Sequence, residues 1–227
     1  MIADNVHKIV NDIHDIAVRC GRDPSQITIV AVTKTRTVGE IEQVIEAGIE
    51  HLGENRLQEA VSKIPAVKGK PVWHMVGHLQ SNKAGKAADL FDWIDSVDSE
   101  KIIDVLSSRA QESGKTIRIL IQVNISGEYS KSGVEPSAVR RLVSYALNKK
   151  GIDVRGLMTI GSFGVSQEVT KVEFARIKEL FDSLCEGRDI VPSMDVLSMG
   201  MSGDYRIAIE EGSTMVRIGT AIFGARD

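Results

Sequence analysis

A lysine at the end of an apolar segment is the residue of this chain best suited to covalent chemistry. Lys34 directly follows the run Thr28–Thr33, which is rich in apolar and β-branched residues. Apolar surroundings disfavour the charged form of a lysine, and the neutral amine is a nucleophile that forms a Schiff base with an aldehyde. The alternative is a lysine that only ends a strand and extends its ammonium group to water. Residues elsewhere in the chain decide between these interpretations.

Two segments near the C-terminus, Val196–Asp204 and Val216–Ala221, combine glycines with hydroxyl side chains. Glycine allows backbone N–H groups to approach an anion closely, and serine and threonine hydroxyls add further donors. Ser202 and Gly203 open a predicted helix, whose N-terminal end favours negative charge. The two segments therefore predict a phosphate site, with ordinary glycine turns as the alternative.

The elements that must position these residues alternate along the chain. Apolar positions recur at helical spacing from Val6 to Cys20, which predicts an opening helix that ends at Gly21. Apolar or β-branched runs, mostly separated by helical patterns, then predict strands that begin near Ile27, Ile49, Val72, Trp93, Ile117, Val154, Val196 and Val216. Helix starts are indicated by the capping-box spacing of Thr37 and Glu40, by Asp98 before the fourth helix of this series and by Pro136 in the first turn of the fifth.

Eight strand–helix units predict a closed barrel. Parallel strands joined by helices need right-handed crossovers, and eight such units close into a (β/α)8 TIM barrel whose strands read as continuous apolar runs. We therefore expect one α/β domain over residues 1–227 with an extra N-terminal helix, since no linker-like stretch divides the chain. A doubly wound open sheet is the second choice, because the G-x-G-x-x-G signature is missing after the first strand.

Closure of the barrel would place the amine beside the phosphate site, since strand eight pairs with strand one. The loops after strands seven and eight are also where this fold most often binds phosphate. An aldehyde that carries a phosphate would span both sites, and pyridoxal 5'-phosphate (PLP) or a phosphosugar on a class I aldolase meets that description. Arg217 begins to separate the two, because a guanidinium group facing a pyridine nitrogen keeps that nitrogen unprotonated; the alternative is an arginine that forms a surface ion pair at a strand end.

Composition argues against several other classes of function. The chain has 28 Lys and Arg against 31 Asp and Glu residues, interspersed throughout, which disfavours nucleic acid as a partner. No run of about 18 apolar residues occurs, so we expect a cytoplasmic protein without membrane insertion.

Cys20 and Cys185 lie on apolar helical stripes and are expected to be buried thiols. His74 and His78 are four residues apart, but Gly77 between them argues against a helical metal site. A solvated surface is expected for Lys63, Lys68, Lys70, Lys83 and Lys86.

Six segments of the sequence carry a resemblance to one family. They are Ala31–Thr35 (AVTKT), Gly53–Asn55 (GEN), Trp73–Lys83 (WHMVGHLQSNK), Gly156–Met158 (GLM), Ser198–Ser202 (SMGMS) and Arg217–Gly219 (RIG). In this order they resemble the pyridoxal phosphate homeostasis proteins, which are single-domain barrels similar to the N-terminal domain of alanine racemase. The resemblance covers nearly the whole chain, and its third and fifth segments are long enough to be specific.

The resemblance implies a set of cofactor contacts. Lys34 would carry PLP as an internal aldimine, Arg217 would face the ring nitrogen, and Asn55 and Met158 would flank the ring. The phosphate would be held by Ser198, Gly219 and Thr220 with the nearby backbone of Met199 and Gly200, and the rim would be lined by His74, His78, Asn124 and Lys131. Arg36 is a departure, because many relatives carry a second lysine at this position.

The resemblance also implies a function: reversible binding of PLP, for buffering or for delivery to apo PLP-dependent enzymes, without turnover. We expect a monomer or a weak dimer. The first alternative is an amino-acid racemase and the second is a phosphosugar aldolase. A racemase needs a second base on the cofactor face opposite the lysine, and alanine racemase takes it from a C-terminal domain that this chain is expected to lack. Tyr129 and Tyr205 remain as candidate bases on loops, since Tyr145 lies within the fifth helix.

Overall fold

The computed structural model describes residues 1–128, 132–186 and 194–224. Its strands are β1 (Thr28–Val32), β2 (His51–Glu54), β3 (Val72–Met75), β4 (Trp93–Val97), β5 (Ile117–Val123), β6 (Ile152–Thr159), β7 (Val196–Met201) and β8 (Met215–Ile218). They are all parallel and follow one another around a closed barrel. β8 pairs with β1, with Arg217 opposite Val30 and Ile218 opposite Ala31. The predicted (β/α)8 barrel and its strand order are confirmed.

Helices alternate with these strands around the outside of the barrel. They are α1 (Ile2–Arg19), α2 (Val38–Glu46), α3 (Leu57–Lys63), α4 (Ala84–Leu90), α5 (Glu100–Ser113), α6 (Pro136–Leu147), α7 (Gln167–Cys185), α8 (Tyr205–Glu210) and α9 (Thr220–Phe223). The additional N-terminal helix α1 packs against α2, α8 and α9. It therefore covers the side of the barrel where the first strand, β1, pairs with the last strand, β8. None of the helices in the described ranges is long and apolar enough to span a lipid bilayer.

Two of the three predicted helix starts are confirmed. Thr37 caps α2 through a complete capping box with Glu40, and Pro136 is the first residue of α6. The prediction for Asp98 was wrong, since α5 is preceded by Ser99. The Asp98 carboxylate instead accepts a hydrogen bond from the backbone of Gly133, a residue of the β5–α6 loop.

Two apolar clusters stabilise the barrel. The larger one lies between the strands and the surrounding helices. The smaller one fills the barrel interior and contains Val30, Val76, Trp93, Leu120, Met158 and Met215. Trp93 begins β4 at the amino end of the barrel, where the guanidinium groups of Arg118 and Arg155 each lie 5.7 Å from its ring centroid. Side chains therefore fill the amino end, and the space for a ligand lies at the carboxyl end.

Two predictions about surface and burial need correction. Cys20 was expected to be buried but is exposed, because it follows α1 at the helix end, and Cys185 is half-buried. Lys63 was expected on a solvated surface, yet only 13% of its side chain is exposed. Two of its three acceptors, on Thr33 and Glu54, come from distant strand ends, which sequence spacing does not reveal.

Candidate functional site

A cavity of about 440 Å³ opens at the carboxyl ends of the strands. This volume is within the range of small-molecule sites. Residues at and beyond the strand ends line it, and they include Lys34, Arg36, Asn55, Ser202, Gly203, Arg217, Gly219 and Thr220. The first and last of these residues are more than 180 positions apart in sequence, and closure of the barrel brings them together.

Lys34 lies in a tight turn between β1 and α2. The turn is closed by a hydrogen bond from the backbone N–H of Arg36 to the carbonyl oxygen of Thr33, at 3.0 Å. Thr35, the third residue of the turn, has a φ of 63°. The residues of β1 are buried or half-buried against both neighbouring strands, so the turn starts from a rigid element. The backbone that carries Lys34 is therefore held in one conformation.

Arg217 brings a buried cation to the cavity. Its side chain is nearly inaccessible to solvent, and its Nη1 and Nη2 donate to Ser198 Oγ at 2.6 Å and to the Thr159 carbonyl oxygen at 2.7 Å. Burial lowers the pKa of Arg217 from its ordinary value, and the nearby carboxylates of Asp95 and Asp204 oppose that shift. The guanidinium group is thus fixed in position by two neutral acceptors at the wall of the cavity.

Ser202 joins the loops that follow β7 and β8. Its Oγ accepts hydrogen bonds from the backbone N–H groups of Gly219 and Ala221, both at 3.2 Å. Two main-chain donors therefore converge at one edge of the cavity, beside the hydroxyl of Thr220. Because both N–H groups are taken by Ser202, the donors left for an anion at this edge are the Ser202 and Thr220 hydroxyls.

The three residues expected from β7 lie elsewhere. Ser198 is fully buried, and its Oγ accepts the hydrogen bond from Arg217 inside the barrel. Met199 belongs to the outer apolar cluster. Gly200 packs against α8, since a Cβ added there would lie 2.5 Å from Ala208 Cβ. β7 continues to Met201, and this residue and Ser202, rather than Ser198 to Gly200, are the first of the segment to line the cavity.

Met158 and Asn124 are also placed away from the cavity lining. Met158 is fully buried in the inner apolar cluster. Asn124 organises the loop after β5: its Nδ2 donates to the Glu128 carbonyl oxygen at 2.9 Å, and its Oδ1 accepts from Ser126 Oγ and Gly127 N, each at 3.1 Å. The further rim residue suggested by the sequence, Lys131, and the candidate base Tyr129 lie outside the described residues.

The prediction of His74 at the rim was wrong, because this residue is fully buried inside the barrel. Its Nδ1 lies 3.1 Å from both carboxylate oxygens of Asp95, and its Nε2 lies 2.9 Å from Nδ1 of His51. Its ring stacks on Trp93 with a centroid separation of 5.2 Å. Burial, followed by the proximity of His74, lowers the pKa of His51 to about 4. No cluster of metal-ligating side chains occurs in the part of the chain that the structure describes.

His78 lies at the rim, as expected, but beside a second cavity. Its side chain is 53% exposed, with Nδ1 3.8 Å from Oδ2 of Asp98. The second cavity lies between the loops after β2 and β3, and Asn55 lines both cavities. Asn55 therefore lies on the wall between them.

Sequence reasoning missed the loop between β6 and α7. Phe163 and Val165 from this loop line the cavity that contains Lys34, which we call the main cavity, although 74% of Phe163 and 41% of Val165 are exposed. The loop follows the carboxyl end of β6, at the end of the barrel that carries the cavity. Two apolar residues in such an exposed loop were the signal that could have identified it.

The residues around the main cavity fit PLP. A Cβ added to Gly203 would meet no atom within 4 Å, and one added to Gly219 would meet nothing nearer than Val32 Cβ at 3.7 Å. The space beside both glycines is therefore open to a ligand. Hydroxyls of Ser202 and Thr220, with an amine and a guanidinium group nearby, provide the donors that a phosphate-bearing aldehyde requires.

Comparison with known proteins first defines the class of this barrel. The family model for the alanine racemase N-terminal domain matches residues 7–227. The closed parallel barrel and the additional N-terminal helix agree with that match.

More similar proteins define the family. A Vibrio alginolyticus protein named pyridoxal phosphate homeostasis protein is 41% identical over 231 residues, which cover 100% of this chain and 98% of the relative. A solved structure of an unknown protein from Bifidobacterium adolescentis is 38% identical, with a TM-score of 0.90 over 98% of this chain and 94% of its own. The structure of PipY from Synechococcus elongatus, with PLP bound, is 32% identical, with a TM-score of 0.82 over 99% of this chain and 100% of PipY. The chain belongs to the pyridoxal phosphate homeostasis protein family.

Proposed function

We propose that this protein binds PLP reversibly in the main cavity and serves PLP homeostasis by buffering or delivering the cofactor. One observation carries the proposal: a lysine, a buried arginine and a set of hydroxyl and backbone donors line the same cavity. The name of the Vibrio relative and the PLP bound to PipY support the choice of ligand. Apo PLP-dependent enzymes are the proposed recipients.

Each lining residue has a proposed role. Ser202, Gly219 and Thr220 would hold the phosphate, because the hydroxyls of Ser202 and Thr220 lie beside the open space at Gly219. Arg217 would face the ring nitrogen and keep it unprotonated. Asn55 would contact the ring from the loop after β2. Ser202 replaces Ser198 in this assignment, since Ser202 lines the cavity whereas Ser198 is fully buried below it.

Lys34 would attach the cofactor covalently. When bound, PLP supplies an aldehyde, and the Lys34 amine would add to its carbonyl carbon with release of one water molecule. Water reverses the same reaction, so the attachment both retains and releases the ligand. The phosphate contacts would keep PLP in place while this carbon–nitrogen bond is open.

A racemase is the less favoured candidate, because it requires a second base. Two of the three tyrosines are engaged with carboxylates outside the cavity. Tyr205 Oη donates to Asp12 of α1, and Tyr145 Oη donates to Asp104 of α5. Among the described residues, no tyrosine lines the main cavity. A binding role therefore fits the site better than turnover does.

Titration of the purified protein with PLP and with phosphate-free pyridoxal tests the proposal. Wild-type protein is expected to bind PLP with a visible absorption change and to bind pyridoxal more weakly. Lys34→Ala is expected to lose the absorption change while it retains weaker, phosphate-dependent binding. Equal affinity for PLP and pyridoxal would contradict the proposed phosphate site, and an unchanged absorption in Lys34→Ala would contradict the attachment.

A further inference from the structure

A buried ion cluster lies directly behind the turn that carries Lys34. We call it the Lys63 cluster, and it consists of Glu54 at the end of β2 and of Glu59 and Lys63, one turn apart on α3. Lys63 Nζ donates to Glu54 Oε1 at 2.9 Å, to Glu59 Oε2 at 3.0 Å and to the Thr33 carbonyl oxygen at 2.9 Å. An ammonium group has three N–H donors, so all three are used. Lys63 is therefore a fixed cation.

The cluster holds the backbone on both sides of Lys34. On the N-terminal side, Lys63 binds the carbonyl of Thr33, and Thr33 Oγ1 donates to Glu54 Oε1 at 2.6 Å. On the C-terminal side, the backbone N–H of Thr35 donates to Glu59 Oε2 at 2.8 Å. That hydrogen bond is the largest cause that holds the pKa of Glu59 below its ordinary value.

The turn needs such support because of the conformation of Thr35. Its φ of 63° is the only positive φ of a non-glycine residue in the described ranges. A turn of this kind favours glycine at the third position, and a β-branched residue there is strained. Strained backbone persists only where surrounding contacts enforce it, and such positions concentrate at functional sites.

Stability alone does not account for the cluster. Glu54 is fully buried, and its Oε2 has no hydrogen-bond partner within the described part of the molecule. A buried carboxylate oxygen without a partner costs free energy, and buried ion clusters are often less stabilising than apolar side chains of similar size. The arrangement is therefore better explained by what it positions.

We propose that Glu54, Glu59 and Lys63 are positioning residues for Lys34. They hold the turn with Thr35 in its strained conformation, and the turn presents the Lys34 amine to the cavity. This inference rests on the proposed function, since it takes Lys34 as the residue that reacts with the aldehyde. If the cluster only anchored α3, its loss would lower stability and leave the reaction of Lys34 in the folded protein unchanged.

Two variants and their combination test the proposal. Lys63→Met removes the ammonium group, and Thr35→Gly removes the strain that this group opposes. Lys86→Met on α4 is the matched control, because it removes the charge of an exposed lysine. The first measurement is the rate at which PLP becomes attached to Lys34, trapped with borohydride and quantified by peptide mass spectrometry. The second is amide hydrogen exchange at Thr35 in ligand-free protein.

Lys63→Met is expected to slow attachment about five- to thirtyfold, the factor that corresponds to the cost of a left-handed non-glycine residue. It should accelerate exchange at Thr35 by a similar factor. Adding Thr35→Gly should restore attachment toward the wild-type rate, because glycine adopts the same conformation without support. A structural role alone would not produce this rescue. Lys86→Met should behave as wild type.

Attachment at the wild-type rate in folded Lys63→Met, or failure of Thr35→Gly to restore it, would overturn the proposal. If Lys63→Met does not fold, Glu59→Ala replaces it, since this side chain is 23% exposed and binds the Thr35 N–H directly. Absence of any adduct on wild-type Lys34 would instead overturn the proposed function. The exchange rate at Thr35 would then decide the positioning claim without a ligand.

Discussion

The serine proposed to contact the phosphate is the sharpest point at which the structure changes the expectation from sequence. Ser202 lines the cavity, whereas Ser198 is buried below it and bound to Arg217 at 2.6 Å. The two residues are four positions apart and chemically identical. Substituting each by alanine therefore removes the same hydroxyl from two environments, one at the cavity and one buried below it.

The expected effects differ in kind. A hydrogen bond to a charged group contributes about 1.5–3 kcal/mol, so Ser202→Ala should weaken PLP binding about 10- to 150-fold. Pyridoxal lacks the phosphate, and its affinity should stay nearly unchanged. Ser198→Ala removes a hydrogen bond to a buried guanidinium group, so it should lower the free energy of unfolding by about 1.5–3 kcal/mol. Its effect on PLP should not exceed its effect on pyridoxal.

Two assays separate these outcomes. Equilibrium titration gives dissociation constants for PLP and pyridoxal, and urea denaturation of ligand-free protein gives the free energy of unfolding. The assignment would be refuted if Ser198→Ala weakened PLP selectively, or if Ser202→Ala weakened both ligands equally. The first result would return the phosphate contact to β7, and the second would remove it from Ser202.

Three further predictions address the proposed phosphate site, the barrel interior and catalytic turnover. Gly219→Val should weaken PLP binding more than Ser202→Ala does, because its side chain would enter space that the cavity now leaves open; titration against pyridoxal checks this. Burial lowers the folded-state pKa of His51 from 6.5 to about 4, so stability should be fully present above pH 6.5 and fall as the pH drops to 4, by less than the about 3 kcal/mol of the full shift because the ring is partly exposed to solvent. His51→Gln should remove that part of the pH dependence in urea denaturation, and an unchanged slope would refute the cause. Holo protein incubated with L-alanine in deuterated water should show little α-proton exchange by NMR, whereas turnover of about 1 s⁻¹ or faster would support the racemase.

The fold was predictable because its signals are local. Apolar runs and helical spacing alternate in sequence, and eight repeats of that pattern leave few arrangements besides a closed barrel. The position of Lys34 followed from the same reading, since it directly follows the apolar β1. Once the fold is a parallel barrel, the carboxyl ends of all strands lie at one face, so the residues that follow them can be grouped from the sequence alone.

The errors concern where strands end and what lies behind them. β7 is buried on both faces, so its sequence does not show that the strand continues to Met201 and that the segment reaches the cavity at Met201 and Ser202 rather than at Ser198. His74 was placed at the rim for the same reason, although it lies within β3. Lys63 looked like a surface lysine of α3, because its acceptors at Thr33 and Glu54 belong to other elements.

The most direct test of the central claim is the site at which the protein captures PLP. The protein is incubated with PLP and reduced with borohydride, and the modified peptide is then identified by mass spectrometry. The account predicts that the pyridoxyl group is found on Lys34 and is nearly absent in Lys34→Ala. Modification of another lysine at comparable yield in the wild-type protein, with Lys34 unmodified, would contradict it.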